Sequence, residues 1–129
     1  MALPTPTAPW IITPIARGSY SARITFTGAS QVSDFLRVHD MPLDTVHVFG
    51  TFGGSNVSVL GFNSNPATDG SISTPQVLHR ADAPSSTFSA VAAELLAGVI
   101  EVPQYIVAQS NGAVTSVTIV AVFASNRSH

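Results

Sequence analysis

The chain contains no cysteine and no lysine, and only twelve of its 129 residues carry a formal charge: five Arg, five Asp and two Glu. Without thiols there can be no disulfide framework, thiolate metal site, iron–sulfur cluster or cysteine nucleophile. Charged residues make up 9% of the chain and hydrophobic residues 45%, against roughly 25% charged in an average soluble domain. That balance excludes a disordered chain held open by its own charge. A net charge of −2 also leaves no basic field for gripping phosphates, so no nucleic-acid partner is expected. The longest strongly apolar region, Ala90 to Val102, is interrupted by Glu94 and Glu101 and is too short to cross a bilayer, so no membrane is expected either. The first twenty residues lack an early positive charge and are broken by Pro4, Pro6, Pro9 and Pro14. They do not read as a secretory signal, which points to synthesis in a cytoplasm.

Polarity comes instead from 28 Ser and Thr residues. A surface of small hydroxyl side chains with a net charge near zero repels its neighbours weakly, which suits a protein that lives inside an assembly. The length fits one domain. Residues 1–14 read as an extended, proline-rich N-terminal arm, because proline fixes φ and removes backbone donors. Residues 15–129 read as a single β-sandwich domain. Pro9, Trp10, Ile11 and Ile12 give the arm an apolar cluster that costs about 1.5–3 kcal/mol per large side chain to leave in water. These four are the candidate partner-binding residues; the competing expectation is that the cluster packs back on its own domain as a first strand.

From Tyr20 to Phe26 apolar and polar residues alternate, the mark of a half-buried strand. Val32 to Val38 fits a strand or a helical turn equally well. Thr45 to Phe52 and Asn56 to Phe62 flank Gly53-Gly54 and predict a hairpin. Asn63 to Ser73 is loop, and Ile72 to His79 is a strand that Pro75 pushes to an edge or splits. Phe88 to Ala97 is rich in helix formers with Gly98 at the position of a terminating glycine, so one short helix is predicted there. Val99 to Gln109 and Ala113 to Phe123 are dense in β-branched residues around Asn111-Gly112, which predicts a type I′ hairpin. The last strand has two apolar faces and is expected to lie centrally, covered on both sides. The sum is an all-β chain: an antiparallel β-sandwich or jelly-roll-like domain of six to eight strands, with one short helix. With no lysine to guard its edge strands, it needs them covered by the arm or by neighbouring subunits.

Titratable groups concentrate between Arg37 and His47. His39 and His47 with Asp40 or Asp44 offer imidazole and carboxylate ligands of the kind zinc or iron accepts, and a cupin-like metal enzyme is the reading they would support. Their spacing matches no compact ligand motif, and Asp40 to Asp44 also reads as a turn around Pro42. His47 reads as a solvent-facing strand residue, and His79 and His129 have no carboxylate near them in sequence. No serine sits in a nucleophile elbow. Gly50 to Ser55 is glycine-rich but lacks the lysine of a phosphate loop. No catalytic residue, metal ligand or cofactor is assigned, and an enzyme is not expected.

The run Val57-Ser58-Val59-Leu60-Gly61-Phe62-Asn63-Ser64-Asn65, the segment Leu95-Leu96-Ala97-Gly98, then Pro103-Gln104-Tyr105-Ile106-Val107 and Asn111-Gly112-Ala113-Val114-Thr115-Ser116-Val117-Thr118-Ile119 share a cadence. Together they resemble the small β-sandwich structural proteins of tailed bacteriophages. The resemblance covers residues 45–123 and departs at Gly61-Phe62-Asn63-Ser64-Asn65, where the fuller turn reads Gly-Ser-Asn-Asp-Gly. It implies a virion structural protein, foremost a head decoration (cement) protein that bridges capsid subunits. The expected partners are the major capsid protein or another virion protein and further copies of the chain, a homo-oligomer such as a trimer. It implies no catalytic residues. The alternative is a carbohydrate- or receptor-binding sandwich of a phage tail or fibre, for which Trp10, Phe49 and Phe62 are the aromatic candidates.

Overall fold

The computed structural model describes residues 9–15, 19–28, 31–38, 41–63 and 76–124. Among these described residues nine strands follow one another: β1 (Ile11–Pro14), β2 (Tyr20–Phe26), β3 (Leu36–Arg37), β4 (Leu43–Thr51), β5 (Asn56–Phe62), β6 (Gln76–Val77), β7 (Leu95–Gly98), β8 (Tyr105–Asn111) and β9 (Ser116–Phe123). They form two antiparallel sheets, a five-stranded one in the order β1-β2-β9-β4-β7 and a four-stranded one in the order β3-β8-β5-β6. The expected all-β sandwich is therefore present.

Period-two patterning sets which residues face inward. On the five-stranded sheet Ala22, Ile24 and Phe26 of β2 stand opposite Ala121, Ile119 and Val117 of β9, and Val46 and Val48 of β4 flank the same β9 residues from the other side. On the four-stranded sheet Val57 and Val59 of β5 and Ile106 and Ala108 of β8 point at them, and all these residues belong to one buried core. As predicted, β9 is central. The expected cover on both faces is corrected: its inner residues Val117, Ile119, Ala121 and Phe123 are fully buried, whereas Val120 and Val122 on the other face are only half-buried.

Both predicted hairpins are corrected. The Gly53-Gly54 turn forms as its glycines dictate, with φ of 62° and 82° and Ser55 N–H donating to the Phe52 carbonyl. Yet β4 and β5 lie in different sheets, and so do β8 and β9. Each connection is an arch across the core rather than an in-plane hairpin. At the second arch only Gly112 has positive φ (88°), so a type I′ turn, which needs two such residues, is not made. Asn111 remains in the β8 ladder opposite Asn56 and donates from Nδ2 to the Asn56 side-chain oxygen at 2.9 Å.

The predicted helix is also corrected: among the described residues there is none. Phe88 and Val91 bind the β5 backbone instead, through Val59 N–H to the Phe88 carbonyl and a reciprocal pair between Val57 and Val91. The same residues place their side chains in the core. Core burial and sheet pairing outweigh the propensity of an alanine-rich run, which is worth only tenths of a kcal/mol per residue. The apolar end of that run, Leu95 to Gly98, is β7. Val32 to Val38 resolves as strand: Val32 bridges Gln109, and β3 pairs with β8. The strand expected from Val99 starts later, at Tyr105. Of Ile72 to His79, Gln76 and Val77 form an edge strand; residues 72–75, and 64–73 of the predicted loop, lie outside the described residues.

Candidate partner-binding surface

Trp10, Ile11 and Ile12 sit at one edge of the five-stranded sheet. Ile11 pairs with Arg23 and Ile12 with Ala22, so β1 caps the edge of β2. Trp10 packs on the core, and its indole N–H donates to the Asp34 carbonyl at 2.8 Å. Pro9 is exposed at the start of this stretch. Both isoleucines are open to solvent, on opposite faces of the strand: Ile11 is 64% exposed on the face of Arg23, Ile12 is 48% exposed at the rim of the face of Ala22, and Ile15 just beyond the strand is 55% exposed. The apolar cluster is thus divided, the tryptophan anchoring the strand and the isoleucines left on the surface. Among the described residues β1 pairs only with β2, and its second edge is four residues long with Pro14 contributing no N–H. Residues 1–8 of the arm lie outside the described residues.

A second exposed apolar group, Leu96, Ile100 and Val102, lies at and just beyond β7 on the opposite edge. That edge is partly closed: Ala81 N–H donates to the Gly98 carbonyl and Ile100 N–H to the His79 carbonyl. Neither group could be called exposed from sequence, because the periodic pattern that marks a residue as apolar does not say whether anything covers it.

The two glutamates of the chain both meet histidines. Glu94 Oε2 lies 2.9 Å from His47 Nε2, on the outer face of the five-stranded sheet, where the His47 ring also tilts against Phe49 with centroids 4.7 Å apart. Glu101 accepts from the His79 backbone N–H at 2.8 Å and meets ring Nδ1 of the same residue. Burial pushes the Glu101 carboxyl up, but the His79 backbone and side-chain hydrogen bonds outweigh it and hold the group below the usual glutamate value. Beside it Arg80 Nη2 contacts Asp82 Oδ2 at 2.7 Å, and this hydrogen bond holds Asp82 below the usual aspartate value. The two histidine–glutamate pairs stand 47 and 22 residues apart, so short spacings give no signal for them.

For the metal set considered above, His47 is thus engaged with Glu94, while His39 and Asp40 lie outside the described residues, as does His129. Among the described residues no three His, Asp or Glu side chains converge as ligands, and no helix is long and apolar enough to cross a membrane. Of the aromatic candidates for sugar stacking, Trp10 and Phe49 are half-buried. Phe62 is 8% exposed, stacked on Tyr105 at 5.2 Å and edge-on to Phe35 at 5.8 Å. These three rings pack with Val32, Leu60 and Val107 as a small second cluster on the outer face of the four-stranded sheet. Comparison with protein-family models, curated proteins and solved structures finds no match.

Proposed function

We propose that the chain is a structural protein of a tailed-phage virion, a head decoration protein that bridges capsid subunits. The observation that carries this reading is the open edge β1, whose isoleucines Ile11 and Ile12 are exposed on its two faces, with Ile15 exposed just past its end, while Trp10 holds the strand in place. A short strand already ordered at a sheet edge can add to an extended segment of another protein, with main-chain hydrogen bonds for affinity and the exposed side chains for specificity. Pre-ordering removes part of the entropy cost of that association. The low charge and hydroxyl-rich surface support the same reading, since they leave few hydrated ions to strip when subunits pack. The resemblance of residues 45–123 to small virion sandwiches supplies the class of partner, a capsid protein.

The test is co-sedimentation with shells assembled from the major capsid protein of the same genome. Wild type should travel with the shells, and I12S with I15S should not, while both remain folded by circular dichroism. Binding of the double variant as tight as wild type would remove the edge from the mechanism, and a wild type that never binds shells would remove the decoration role itself.

A further inference from the structure

The outer face of the five-stranded sheet carries a row of residues crossing all five strands. Ile11 stands opposite Arg23, Arg23 opposite Val120, Val120 opposite His47, and His47 opposite Leu96. Directly paired residues in an antiparallel sheet share a face, so these five form one continuous stripe. Its order is apolar, cationic, apolar, imidazole with Glu94 bound, apolar. Val120, on the central strand, divides it into halves of equal length. The ends are among the most exposed large apolar side chains of the domain, Ile11 and Leu96, each 64% exposed. Among the described residues every strand lies within one of the two sheets, so no described strand crosses this face.

Such a stripe is complementary to itself. A two-fold axis lying along β9, between two copies placed face to face, turns each sheet over and exchanges its left and right sides. Val120 then meets Val120, Ile11 of one copy meets Leu96 of the other, and Arg23 meets the His47–Glu94 pair. The carboxylate of Glu94, 69% exposed, is thereby opposed to an exposed guanidinium, and the symmetry makes this contact twice. We propose that the outer face of the five-stranded sheet is a two-fold interface between copies of this chain, with Arg23 of each copy seated on Glu94 of the other.

Face-to-face sheets pack about 10 Å apart with strands within roughly 30° of parallel, a spacing that Arg and Glu side chains span. Five strands at about 4.8 Å and some six residues at about 3.4 Å cover roughly 500 Å² per copy, about 1,000 Å² in total. That is near the lower bound for a specific interface. The isologous two-fold also differs from the trimer expected from the family resemblance, and although it shares Ile11 with the proposed capsid-binding edge it does not need the capsid: it predicts association of the purified protein alone.

The experiment is sedimentation equilibrium of the full chain over a concentration series, with R23E, E94R and the R23E/E94R double variant. Wild type should be a monomer–dimer system. Each single charge reversal places like charges opposite one another at both symmetry-related sites, and should weaken the dimer at least about tenfold. The double variant should restore most of the affinity, because the pairing is reversed rather than lost, and all four proteins should unfold at similar temperatures. A wild type that stays monomeric or forms a trimer overturns the proposal. So do single reversals that leave the dimer intact, or a double variant no tighter than either single one.

Discussion

The carboxylate of Glu101 holds His79 at two points, accepting from its backbone N–H at 2.8 Å and meeting its ring at Nδ1. Both contacts favour the ionised carboxylate over the protonated one, which has a pH consequence. Because the folded-state carboxyl titrates below its ordinary value of 4.5, the unfolded chain binds more protons at mildly acidic pH, and stability rises with pH there. The contribution is complete above the ordinary glutamate value and disappears as pH falls through the lowered one. Urea unfolding of wild type and E101Q at pH 7 and at several values down to about pH 3 should show a gap that is widest near neutrality and closes on acidification. A gap independent of pH would mean that the lowered titration has no energetic weight.

The Trp10 indole is the anchor of β1, and two substitutions separate its two roles. W10F keeps an aromatic ring on the core and loses the N–H to the Asp34 carbonyl; because that acceptor is near solvent, the cost should be about 0.5–1 kcal/mol. W10A also removes the packing and should cost about 2 kcal/mol or more. Trp10 is the only tryptophan in the chain, so its emission in wild type reports the docking of β1 directly. Equal losses for W10F and W10A by urea denaturation would show that packing contributes nothing to the anchor.

Strand identity was legible wherever one face is buried and the other wet. Ala22, Ile24 and Phe26 in β2, or Val117, Ile119, Ala121 and Phe123 in β9, announce both the strand and its inner face. What the pattern did not carry was the partner of each strand. Asn111-Gly112 marks a reversal, but whether the chain returns beside itself or crosses to the other sheet depends on which inner faces must meet, a property of the whole core. The Phe88–Ala97 error has the same origin, since Phe88 and Val91 are held by β5 about thirty residues earlier. In the candidate site the apolar cluster at Trp10, Ile11 and Ile12 could be seen in the sequence. Its division into one anchor and exposed isoleucines could not, nor could Glu94 against His47, because both arise from register between distant strands.

Gly50 within β4 and Gly54 in the first arch differ in what surrounds them. Gly50 has φ of 134°, and a Cβ there would collide with the Ser116 carbonyl oxygen of the neighbouring strand β9. G50A therefore combines a strained backbone with a steric clash against a rigid ladder and should destabilise by about 3 kcal/mol or more. Gly54 also has positive φ, 82°, but open space around the missing Cβ. G54A should cost only about 1 kcal/mol, the conformational term alone. Thermal unfolding of the pair measures the difference, and similar losses would place the strain in the turn rather than in the approach of β4 to β9.

Ala90 supplies a substitution whose sign separates the extended segment from the helix its sequence suggests. Its φ is +55°, the one positive value at a non-glycine position among the described residues, and its backbone N–H donates to the Ser58 hydroxyl at 3.2 Å. A left-handed conformation costs an L-residue with a Cβ roughly 1–2 kcal/mol, while glycine at the same place loses about 0.5–1 kcal/mol of extra backbone entropy on folding. A90G should therefore be neutral to stabilising, by up to about 1 kcal/mol. In a helix running from Phe88 to Ala97 the same change would destabilise by about 1 kcal/mol. A rise in the urea midpoint of A90G supports the observed backbone, and a fall of the helical size would return the segment to the conformation its alanines favour.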